Sequence, residues 1–143
     1  MLRPRHIVVV FIGGAVASWL WFAVGGIIAT LTLVPAYAVA TRLFGPISAT
    51  GLFMEVVVGL SHALAALALA IPLAYWLRGP WLGLFIYFLA GLAVGCAIQL
   101  ALFQLDSAML LELLALPALW APLIVTALSF FLASWLRVSA HGA

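Results

Sequence analysis

Two residues with reactive side chains, Glu55 and His62, stand inside the apolar run 52–77, which is long enough to cross a bilayer. They are seven residues apart, or two helical turns, so a helix would place both on one face. Small residues share that face, and bulky apolar residues occupy the opposite face. In a membrane helix this division turns the small, polar face toward protein and the bulky face toward lipid.

Four polar residues on three of the apolar runs form a predicted ligand site. They are Glu55, His62, Gln99 and Glu112. Counting about twenty residues across the bilayer from the tryptophans at one boundary puts all four in the opposite half, with His62 deepest. A pocket there suits a ligand, a lipid headgroup, an ion or a partner protein. No polar residue continues the path inward, so a conduction route is not indicated.

The number and spacing of the reactive residues argue against a metal site, a catalytic pair and an internal disulfide. Glu55, His62 and Glu112 offer two carboxylates and an imidazole, but the HExxH and ExxH spacings of metal sites are absent. Ser61 and His62 are adjacent and would diverge by about 100° on a helix, so they cannot form a nucleophile–base pair. The single cysteine, Cys96, cannot form an internal disulfide. The sequence therefore predicts no catalytic or metal-binding residues and implies no cofactor.

The high apolar and low charged content of the chain indicate a membrane protein. Of its 143 residues, 69% are hydrophobic and 6% are charged, whereas a soluble domain is about half apolar and about a quarter charged. The sequence therefore predicts an integral membrane protein with one transmembrane domain, residues 1–143. Its five arginines are dispersed, which does not suit nucleic-acid binding.

The apolar runs and their breaks predict an all-α, up-down-up-down four-helix bundle. The expected helices are about 7–34, 52–77, 81–105 and 108–136, with an outer loop at 35–51. The first run is longer than the core of about 7–15 residues in a signal peptide, so we expect it to remain uncleaved. The tight turn at 78–80 predicts that the second and third helices are antiparallel neighbours.

Small residues recur three and four positions apart and predict close helix packing. The predicted packing positions are Gly13, Gly14, Gly25, Gly59, Gly91 and Gly95. The GxxxG pair at 91 and 95 suits an interface either within the bundle or between subunits. Trp19 and Trp21 lie near the middle of the first helix, where we expect ring packing against a glycine-rich neighbour rather than ligand binding.

Orientation follows from the residues at the helix ends. The predicted interface anchors are Trp76, Arg78, Trp81, Trp135 and Arg137. Four arginines, at positions 3, 5, 78 and 137, fall on one side of the membrane and Arg42 falls on the other. The positive-inside rule then places both termini in the cytoplasm. The weight of Ala, Leu and Gly indicates a bacterial gene, and hence the inner membrane.

Two classes of function fit this pattern. Short loops, small-residue rows and the lack of a catalytic constellation favour a non-catalytic accessory or assembly subunit of a larger membrane complex. The alternative is a small oligomeric transporter, or a lipid- or ligand-binding protein that uses the polar pocket. Expected partners are membrane lipids and other transmembrane subunits or further copies of the chain, with no nucleic acid. Small multidrug exporters share the four-helix plan, but their acid in the first helix is absent here.

Overall fold

The computed structural model describes residues 3–45, 52–103 and 117–141, and 95% of these residues are helical. Four helices are present in the described ranges: α1 (Pro4–Phe44), α2 (Leu52–Trp76), α3 (Trp81–Phe103) and α4 (Pro117–His141). Each is long and apolar enough to span a membrane. The all-α class is confirmed, and the four spans indicate a multi-pass membrane protein.

The first helix is much longer than its sequence suggests. The predicted loop 35–51 is wrong for residues 35–44, because α1 continues through Pro35 to Phe44; residues 46–51 lie outside the described ranges. Proline costs one backbone hydrogen bond, but membrane helices tolerate it where other groups satisfy the freed carbonyl. The 41 residues of α1 span about 60 Å at about 1.5 Å per residue, twice a hydrocarbon core of about 30 Å. The helix therefore extends beyond the apolar core.

The other helix boundaries differ less from the predicted ones. α2 and α3 begin at the predicted residues and end within two residues of the predicted ends. The predicted start of the fourth helix, at 108, lies outside the described residues. Its predicted end at 136 is wrong, since α4 continues to His141. The residues after Leu136 include neither glycine nor proline until Gly142, so nothing in that stretch stops the helix.

Helix α1 lies beside both α2 and α3, and α2 also packs against α4. α3 meets α4 through two edge-to-face ring pairs, Trp81 with Phe131 and Phe88 with Phe130. α2 and α3 are not packed along their lengths, although only residues 77–80 join them. The predicted pairing of the second and third helices was therefore wrong. A short turn brings two helix ends together but does not decide which flanks are complementary.

Glycines decide the pairing of α1 with α3. Gly14 lies against the backbone of Phe88, and Gly91 lies against the backbone of Phe11. A Cβ at either glycine would collide with the carbonyl oxygen of its partner residue. Gly95 faces Ala15 in the same way. The two backbones therefore touch, and the GxxxG row of α3 is used inside this chain.

Aromatic rings fill the space that α1, α3 and α4 share. Trp21 is buried against Phe88 with ring centroids 5.8 Å apart, and Phe88 meets Phe130 at 6.0 Å. Trp19 packs on Phe103 at 6.1 Å. Both tryptophans thus pack on rings of the helix that carries the GxxxG pair, as predicted. Such offset and edge-to-face pairs add to the stabilisation from packing.

The glycine contact yields a stability prediction with a matched control. We expect Gly91→Ala to destabilise the protein, because the new methyl group meets the Phe11 carbonyl and overpacking costs about 1–3 kcal/mol. Gly26→Ala has open space around it and should stabilise, since alanine is about 1 kcal/mol better than glycine in a helix. Unfolding in detergent micelles, followed by circular dichroism, measures both changes. Two changes of the same sign would contradict the backbone contact.

Candidate functional site

His62 is buried where α2 packs against α1. Its Nδ1 lies 2.8 Å from the carbonyl oxygen of Val58, one turn earlier in α2. Because a carbonyl only accepts, Nδ1 carries the proton in this arrangement. The ring of Phe22 meets the imidazole edge-on at 6.1 Å, and a Cβ at Gly25 would come within 2.7 Å of the imidazole carbons. Gly25 thus provides the space that lets His62 sit between the two helices.

Ser61, next to His62, makes contacts of its own, one within α2 and one with α1. Its Oγ donates to the carbonyl of Val57 at 2.7 Å and lies 3.5 Å from Oγ1 of Thr32. The Thr32 hydroxyl in turn donates to the carbonyl of Ile28 at 2.7 Å. Ser61 and His62 therefore bind different carbonyls. These hydroxyls satisfy their hydrogen-bonding capacity on helix backbones, as is usual in membrane helices.

The other predicted site residues lie apart from His62. Gln99 is half-buried between α3 and α1, and its Nε2 donates to Ser18 Oγ at 3.4 Å. Glu55 is exposed in the first turn of α2, where the helix dipole favours a carboxylate. Glu112 lies outside the described residues. Within the described part of the chain no hydrogen bond joins any of these residues to His62, so their shared ligand site stays a prediction.

The two interior polar groups thus contact α1 at different heights. His62 lies against α1 near Phe22 and Gly25, whereas Gln99 bonds to Ser18, which is seven residues, or about 10 Å along the helix, before Gly25. The hydrogen-bond partner of His62 is thus the Val58 carbonyl, and that of Gln99 is Ser18. Across residues 3–45, 52–103 and 117–141, no three His, Cys, Asp or Glu side chains gather in a way that could hold a metal ion.

Sequence reasoning missed a groove at the opposite end of α2. The groove lies between α2 and α4 and ends at Arg78 and Arg137, which the sequence predicts only as interface anchors. The Arg137 guanidinium donates to the carbonyl of Leu77 at 2.7 Å and to that of Ala74. It thereby caps the C-terminal end of α2, where unpaired carbonyls attract a cation. The available signal was that each arginine directly follows an apolar run.

No protein-family model, curated protein or solved structure matches this chain.

The separation of His62 and Gln99 is open to a double-mutant cycle. We expect the effects of His62→Ala and Gln99→Ala on the free energy of unfolding to add within about 0.5 kcal/mol, as they do for residues without shared partners. Titration with sodium dodecyl sulfate in mixed micelles gives the four unfolding energies. A coupling energy above about 1 kcal/mol would mean that the two side chains share a site after all.

Proposed function

We propose that this chain is a non-catalytic accessory or assembly subunit of a larger complex in a bacterial inner membrane. The main support is the contrast between the hydrogen-bonded polar groups in its interior and the apolar side chains on its surface. The interior hydroxyl, imidazole and amide groups of Ser18, Ser61, His62 and Gln99 are bonded within the bundle. The outward faces of the described helices carry large exposed apolar side chains. A chain of this kind makes its contacts inside the bilayer.

Glycine rows lend this proposal less support than the sequence suggested. Other helices of the same chain already pack against the glycines at positions 14, 25, 91 and 95. The support comes instead from α4, which has the smallest buried share of the four described spans, 17% against 39% for α2. Its exposed residues Ile124, Leu128 and Trp135 lie four and seven positions apart and so share one face. We propose this face, the α4 row, as the contact with a partner helix.

The proposed topology is up-down-up-down with both termini in the cytoplasm. Two contacts support it: His6 Nδ1 lies 2.9 Å from the carbonyl oxygen of Arg78, and Arg137 donates to the carbonyl of Leu77. These contacts gather Arg3 and Arg5, which precede His6, with Arg78 and Arg137 at one end of the bundle. An end rich in arginine faces the cytoplasm under the positive-inside rule.

Co-purification tests the subunit proposal. Tagged protein extracted into native nanodiscs should carry a foreign transmembrane chain in fixed stoichiometry through size-exclusion chromatography. The double change Ile124→Ala and Leu128→Ala should reduce that chain severalfold, because it truncates the α4 row. Ile27→Ala with Leu31→Ala, the same truncation on the exposed face of α1, should leave it unchanged. Protein that carries only lipid, or only further copies of itself, would contradict the proposal.

A second candidate function is a small oligomeric transporter, or a lipid- or ligand-binding protein, that uses the polar end of α2. The observation that favours it is the burial of His62, because an ionisable side chain inside a membrane is costly and commonly functional.

The double change Glu55→Ala with His62→Ala separates the two candidates. For a subunit we expect growth or complex activity to stay at the wild-type level, provided that the variant chain still assembles. The measurement is complementation of a deletion strain, with the amount of membrane-inserted chain as the control. Lost function in a chain that inserts normally would favour the ligand-binding candidate.

A further inference from the structure

A lateral groove of about 780 Å³ runs between α2 and α4. Small side chains, Ala74 and Ala133, line it together with the larger Leu67, Ile71, Leu132 and Leu136. Three of the larger ones, Ile71, Leu132 and Leu136, stand exposed at its rim by 57%, 49% and 59%, so the groove opens sideways. Its volume lies within the about 300–1,000 Å³ usual for small-molecule sites. The walls are apolar and suit a hydrocarbon chain.

One end of the groove is strongly basic. Arg78 and Arg137 line both the groove and an adjoining cavity of about 290 Å³. The capping bonds to Leu77 and Ala74 hold the Arg137 guanidinium in place. Arg78, which lines the same two cavities, is exposed. Guanidinium groups at one end of an apolar groove attract an anionic group.

The length of the groove matches one leaflet of a bilayer. From Leu67 to Arg78 the chain advances by about 16 Å, at about 1.5 Å per helical residue, and half of a hydrocarbon core is about 15 Å. Tyr75 and Trp76, each 78% exposed, lie beside the arginines. Aromatic side chains with a polar atom collect at the headgroup level. The groove thus reaches from the headgroups to the middle of the membrane.

We infer that the groove binds one anionic glycerophospholipid, an inference that goes beyond the proposed subunit function and does not depend on it. The phosphate and the anionic headgroup lie at Arg78 and Arg137, which donate charge-assisted hydrogen bonds. One acyl chain follows the groove over the small side chains of Ala74 and Ala133. Arg137 then caps the C-terminal end of α2 and also binds the lipid.

Native mass spectrometry of delipidated protein tests the assignment. The probes are phosphatidylglycerol and phosphatidylcholine with identical acyl chains, added to the protein in detergent. We expect one tightly held phosphatidylglycerol per chain and weaker phosphatidylcholine binding. Arg78→Gln should weaken phosphatidylglycerol binding about fivefold, the usual contribution of one arginine near a lipid headgroup. Ala133→Phe should lower the binding of both lipids, because the ring fills the acyl-chain path.

Arg5→Gln is the matched control, since Arg5 lies at the same end of the bundle but does not line the groove. It should leave phosphatidylglycerol binding unchanged. Equal losses in Arg5→Gln and Arg78→Gln would mean general charge attraction and would overturn the proposal. So would equal binding of the two lipids, or dimers that Ala133→Phe abolishes, which would assign the groove to a second copy of the chain. If Ala133→Phe fails to fold by circular dichroism, the two arginine variants decide the matter.

Discussion

Direct backbone contact between α1 and α3 is the constraint on which the rest of the bundle depends. Gly14 and Gly91 each lack the side chain that would hold the two helices apart. α2 packs on α1 as well, and three turns beyond Gly14, on nearly the same face of α1, Gly25 accommodates His62. Trp21 then fills the space toward α3, and its partner Phe88 reaches Phe130 on α4. The hydrophobic effect does not drive helices together within lipid, so close approach of the backbones supplies the van der Waals packing that holds them.

The interior and the surface of the bundle consequently have different roles. Ser61 and His62 bond to carbonyls of their own helix, and Gln99 bonds to Ser18 across two helices, so these costly polar groups are not left unpaired in the membrane. The outer faces keep their large apolar side chains for lipid or for other membrane helices. Arg78 and Arg137 lie at one end of the bundle, where His6 and the Arg137 guanidinium bond to the carbonyls of residues 78 and 77. That end is therefore where the described part of the chain best suits an anionic group.

Helix identity was predictable from the sequence, whereas helix pairing was not. Apolar runs and their breaks gave α2 and α3 within two residues, because length and composition determine what spans a bilayer. They misplaced the end of α1, because proline inside a membrane helix does not have to terminate it. Spacing put Glu55 and His62 on one face of a helix, but it could not tell that His62 would meet Gly25 while Gln99 met Ser18. Contacts between helices depend on shape complementarity, which a single-helix pattern does not contain.

Cross-linking of cysteine pairs in membranes tests the position of α3 most directly. In a Cys96→Ala background, a short bifunctional thiol reagent should join Trp19→Cys to Phe103→Cys, whose native rings are in contact at 6.1 Å. It should not join Ile71→Cys to Ile86→Cys. These two positions are equally far from the 77–80 turn, and they would face each other if α2 and α3 formed a hairpin. Cross-linking of the first pair alone is the result that packing of α3 on α1 predicts. Cross-linking of the second pair without the first would contradict it.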